Sequence, residues 1–236
     1  MRTKTIIWVV VFSVAMGFLE AAVVVYLREL YYPEGFNFPL KELDFNIMVM
    51  ELLREAATMI MLLSIGFIAA NKKIERFAYF ILSFAIWDIF YYVFLKLALG
   101  WPESLLTWDI LFLIPVTWVG PVICPIINSL TMVLICMMIL HYSGKGLKAS
   151  IHSSEWILLI IGSLIVIFAY IQDYSNFMLN EFAFSDFIFI KDKETVLAHA
   201  SHYIPQKFNW YIFGLGQTLL FVATGLYILR MRKQVQ

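Results

Sequence analysis

Long apolar runs separated by short polar ones dominate the chain. Six of them reach the ~20 predominantly apolar residues that a helix needs to cross a bilayer: roughly 5 to 30, 46 to 70, 75 to 99, 119 to 142, 155 to 173 and 207 to 230. The first run begins like a signal peptide, with basic Met1-Arg-Thr-Lys4 followed by apolar Ile6 to Leu19. Its apolar character continues past Glu20 to Tyr26, so we read it as an uncleaved span.

Basic residues are distributed unevenly over this pattern. They gather at Arg2 and Lys4, at Lys72, Lys73 and Arg76, at Lys145 and Lys148, and at Arg230, Arg232 and Lys233, all on one side of six alternating spans. Connections on the other side carry Lys41, and Lys191 with Lys193. The positive-inside rule therefore predicts a cytoplasmic (inner) membrane protein with both termini in the cytoplasm.

Two segments depart from the simple alternation. Between Trp101 and Tyr142 the chain is twice as long as one span and is punctuated by Pro102, Pro115, Pro121 and Pro125. This predicts a short re-entrant or interfacial outer helix over Ser104 to Ile114, a turn through Pro115 to Pro121, and then the fourth span. Phe177 to Ile190 is dense in phenylalanine around Glu181 and Asp186, as suits an aromatic anchor at the membrane interface.

Composition agrees: 62% of the 236 residues are hydrophobic and only 14% charged, against about a quarter charged in soluble domains. The expected fold class is all-α, one polytopic transmembrane helical domain over residues 1–236 in contact with the lipid bilayer. A formal net charge of zero gives no support for nucleic acid as a partner. Cys124 and Cys136 are twelve residues apart on one predicted helix, about 18 Å, too far for a disulfide, and read as packing residues.

Against this apolar background, Glu51-Leu-Leu-Arg-Glu-Ala-Ala-Thr58 stands out. Glu51, Arg54, Glu55 and Thr58 fall at i, i+3, i+4 and i+7 and share one helix face. In the third span Asp88, Tyr91, Tyr92 and Lys96 form a second polar stripe, and Glu20 lies past the middle of the first span, with Arg28 and Glu29 at its mouth. Asp109 falls on the predicted re-entrant helix, and His199, His202, Gln206 and Asn209 precede the last span. All of these sit at one depth, on the extracytoplasmic side. At roughly 3 kcal/mol for each charge placed in the membrane, such groups must compensate one another, bind something or see water.

The chemistry these residue types suit is metal-assisted reaction of a lipid-like amphiphile entering from the outer leaflet. Glu51, Arg54, Glu55 and Asp88 are the candidate catalytic residues, and Glu20, Tyr91, Tyr92, Asp109 and Asn209 candidate substrate contacts. Glu51, Glu55, His199 and His202 offer oxygen and nitrogen ligands for a divalent metal, whose bound water would be activated. No His-Glu-x-x-His pattern is present. Glu51-x-x-x-Glu55 resembles an element of bacterial undecaprenyl-diphosphate phosphatases, but that family's Pro-Gly-x-Ser-Arg-Ser signature is absent, so the family is not assigned.

Two other readings use the same residues. In a proton- or ion-coupled transporter Glu20, Glu51, Glu55 and Asp88 would form an ion path, although the chain has no inverted repeat. In a non-catalytic subunit of a membrane complex they would hold a partner. Structural readings also apply residue by residue: Arg54 as the centre of a neutralised triad, Arg28 and Lys96 as snorkelling side chains, and the histidines as ordinary surface groups. Nucleophilic serine chemistry lacks its Gly-x-Ser-x-Gly context.

Overall fold

The computed structural model describes residues 2–41, 44–183 and 193–234. Its helices are α1 (Arg2–Tyr31), α2 (Phe45–Ala69), α3 (Lys73–Leu99), α4 (Ile123–Gly144), α5 (Ser153–Leu179), α6 (Lys193–Ser201) and α7 (Trp210–Lys233). Among the described residues, six of these, all but α6, are long and apolar enough to cross a membrane. The protein is thus a mostly helical, multi-pass membrane protein.

Helix ends are set by local chemistry. Asp44 accepts the Asn46 N–H at 2.8 Å to start α2, and Asn209 accepts the Ile212 N–H at 3.3 Å to start α7. Gly100 ends α3 with a left-handed φ of 66°. Lys96 reaches over that turn and donates to the Gly100 and Pro102 carbonyls, both at 2.8 Å, which fixes the exit from the helix.

The six long helices alternate in direction. Gly66 near the end of α2 lies against Arg76 and Phe80 near the start of α3, and Asp88 and Glu75 of α3 bond Ser129 and Ser143 of α4, so both pairs are antiparallel. In α5 and α7, Glu155 pairs with Arg230 while Gly162 touches Gly216, again antiparallel. The start of α1 and the end of α7 lie at one end of the bundle, where Val9, Tyr142 and Met231 share one buried cluster. Ala78, Leu82, Ile139 and Tyr227 form the main core toward that end. Cys124 and Cys136 are buried free thiols on α4.

The helix expected over Ser104 to Ile114 is not formed. Residues Trp108–Phe112 are strand β1, paired antiparallel with β2 (Trp118–Pro121), with Asp109 opposite Gly120 and Ile110 opposite Val119. Prolines explain the difference, because Pro115 and Pro121 bias Ile114 and Gly120 toward extended backbone. Cross-strand hydrogen bonds then satisfy the peptide groups that a helix would have satisfied internally. The aromatic element expected over Phe177 to Ile190 is described only in part: Phe177 ends on α5, whereas 184–190, with Asp186, lie outside the described residues.

Candidate functional site

Away from the termini, the second half of α1, the first turns of α2, the second half of α3 and the hairpin enclose a cavity of about 190 Å³. Glu20, Glu51, Arg54 and Glu55 line it from α1 and α2. Asp88, Tyr91 and Tyr92 line it from α3, and Asp109 from β1. With Arg28 of α1, nine of the residues singled out by helical spacing and depth thus share one space, although they come from four elements.

The arginines and carboxylates in this space have partners. Arg54 pairs through Nη1 with Glu20 and donates from Nε and Nη2 to Glu51 at 3.0 and 2.7 Å. Glu55 accepts the Leu113 N–H at 2.9 Å and the Ile114 N–H at 3.1 Å, gripping the chain just beyond β1. Ser129 of α4 donates to Asp88 at 2.7 Å. Arg28 of α1 pairs with Asp109 at 3.3 Å, the two residues being 7% and 2% exposed. Burial pushes the Asp109 carboxyl up to about 6, against the opposing pull of Arg28.

Arg28 was expected to snorkel, yet it lies inside. Its guanidinium carbon stands 3.7 Å from the Trp101 ring centroid and 4.5 Å from that of Phe36, a cation held against two aromatic rings. Trp101, just beyond the end of α3, brings its ring to the mouth of α1. Ser129 and its neighbour Asn128, which donates to the Tyr170 hydroxyl at 2.6 Å, were also missed. They are adjacent polar residues inside an apolar span, and that pattern is itself a signal.

Three predicted residues lie elsewhere. Asn209 caps α7 and donates to Gln172 at 3.4 Å. His199 stacks on Phe177, with ring centroids 4.4 Å apart, and meets the Phe182 edge at 5.3 Å. His202 is exposed, with Nδ1 2.7 Å from the Ala198 carbonyl. The expected metal-ligand set of Glu51, Glu55, His199 and His202 is therefore not assembled, and among the described residues no group of three or more His, Cys, Asp or Glu is placed to hold a metal ion. The reason is physical: Glu51 is taken up by Arg54, Glu55 by two backbone amides, and His199 by an aromatic stack.

A second, larger cavity of about 520 Å³ runs between α2 and α3 on one side and α4, α5 and α7 on the other. Phe77, Ile81, Phe84, Met132, Leu159 and Ile167 give it an apolar wall. Trp87, Asp88, Leu111 and Phe112 line both cavities, so the polar space and the apolar one meet at these four side chains. No protein-family model, curated protein or solved structure matches the chain.

Proposed function

We propose that this integral membrane protein binds a lipid-like amphiphile, head group in the polar cavity and tail in the apolar groove. The observation that carries the reading is the wall shared by the two spaces, which gives polar and apolar parts of one molecule adjoining compartments. Asp88, the one carboxylate on that wall, is the proposed acid–base group at the junction of head and tail, with Glu51, Arg54 and Glu55 holding the field around the head. A metal-assisted version of this chemistry would need ligands that Glu51, Glu55, His199 and His202 do not bring together. Because Lys72, Lys73, Lys145, Arg230 and Arg232 all belong to the end that carries the termini, the site is proposed to open to the outer leaflet of the cytoplasmic membrane.

The test is binding of a spin-labelled single-chain amphiphile to protein in nanodiscs, before and after Leu111→Trp and Met132→Trp fill the junction and the groove. Loss of binding in both variants, with unchanged thermal midpoints, supports the reading. Unchanged binding in both overturns it. Impermeant labelling of single cysteines at Ser104 and Lys233 in intact cells checks the orientation, with only position 104 expected to react.

A further inference from the structure

The head-group cavity mixes both signs of charge at close range. Glu20 and Glu51 share the single cation Arg54 in one cluster, and Arg28 with Asp109 form a second. An anionic head would sit among five carboxylates, and a cationic head would sit against Arg28, Arg54 and Lys41. Either one would bring like charges close together in a partly buried space.

What the site leaves open is of the opposite character. Among the described residues, Arg28 Nη1, a donor on a residue 7% exposed, has no hydrogen-bond partner. Asp109 Oδ2, an acceptor on a residue 2% exposed, likewise has none among them, while the Tyr92 hydroxyl interacts with this carboxyl group. Their residues form one ion pair, and both residues line one cavity. A single group that accepts from the guanidinium and donates to the carboxylate would satisfy both, and a hydroxyl does this without adding charge. The cavity's size, about 190 Å³, is below the range of drug-sized pockets and suits a head group alone.

Resting on the amphiphile-binding reading, we infer that the head group is a neutral polyol, a sugar or a glycerol, whose hydroxyls bridge Arg28 and Asp109.

The test uses a tail-matched series with the protein purified in an amine-oxide detergent: dodecyl glucoside, 1-O-dodecylglycerol, dodecyl phosphate and dodecylammonium, with binding read by native mass spectrometry. The glucoside or the glycerol ether is expected to bind at least tenfold more tightly than either charged probe, and the comparison of those two separates a sugar from a glycerol source. Asp109→Asn keeps the shape of the site but leaves Arg28 uncompensated, so the preference is expected to shift by tenfold or more toward dodecyl phosphate. Binding of dodecyl phosphate or dodecylammonium as tightly as the neutral probes to the unaltered protein overturns the head-group assignment and leaves the amphiphile reading standing. Binding of no probe at all overturns both.

Discussion

Arg28 Nη2 and Asp109 Oδ1 lie 3.3 Å apart across eighty-one residues of sequence, tying the mouth of α1 to the first strand of the hairpin. Both residues are buried, and the Trp101 and Phe36 rings lie against the cation. A buried pair of this kind adds less to stability than its proximity suggests, because desolvation offsets the attraction. Its consequence is positional: it holds β1 as one wall of the polar cavity.

The pair makes stability depend on pH. Burial raises the Asp109 carboxyl from an ordinary 3.8 to about 6, Arg28 opposing the rise. Between about pH 4 and 6 the folded protein therefore binds a proton that the unfolded chain has released, and this group's contribution to stability falls as pH rises through that window. Asp109→Asn removes the dependence. The thermal midpoint of the variant, relative to the unaltered protein, is expected to climb from pH 4 to pH 6.5 and then level off. A flat difference across that range would contradict the assignment.

Arg54 is expected to be the most costly single charge to remove. Arg54→Met leaves Glu20 and Glu51 facing each other without their cation, a loss of about 3–5 kcal/mol by analogy with broken buried pairs. Replacing both carboxylates in the same chain, Glu20→Gln with Glu51→Gln, is expected to recover most of that loss. Unfolding in detergent measures the cycle. A triple variant no more stable than Arg54→Met would mean that the arginine acts through something other than these two carboxylates.

The six spans were legible because apolar length is a local property, and the predicted 5 to 30 and 75 to 99 differ from Arg2–Tyr31 and Lys73–Leu99 by only a few residues. The stripes of α2 and α3 were legible for a related reason: helical spacing puts Glu51, Arg54, Glu55 and Thr58 on one face without knowledge of any partner. The hairpin was not legible, since Trp108–Phe112 becomes a strand by pairing with Trp118–Pro121. Arg28 was misread with it, because its partner lies on that strand. The histidines show the limit of spacing: i and i+3 put His199 and His202 on one face of α6, yet spacing is silent about what that face meets, which for His199 is Phe177.

Glu55 is expected to behave as an anchor for the hairpin. Its two oxygens accept the Leu113 and Ile114 amides, and Glu55→Ala strands both donors at about 1–3 kcal/mol each. Glu55→Gln keeps one acceptor oxygen and is expected to lose about half as much. Amide hydrogen exchange reads this locally. Protection at Leu113 and Ile114 should fall in the alanine variant while protection in α7 is unchanged, and uniform loss along the chain would show that Glu55 supports the bundle as a whole.

Two chemically identical substitutions should have opposite signs. At Gly66 an added Cβ would lie 2.6 Å from the Arg76 carbonyl oxygen and 3.0 Å from the Phe80 Cβ, so α2 and α3 would have to separate. Neither neighbour is the end of a flexible side chain, and Gly66→Ala is expected to cost about 1–3 kcal/mol, the range of overpacked cores. At Gly225 on α7 an added Cβ meets nothing within 4 Å, and the only change is the helix preference of alanine over glycine, about 1 kcal/mol in favour. Thermal midpoints in one detergent decide it: Gly66→Ala lower and Gly225→Ala equal or higher. If Gly66→Ala left the midpoint unchanged, the α2–α3 approach, which fixes where Glu51 to Glu55 stand relative to Asp88, would be looser than the packing at Arg76 implies.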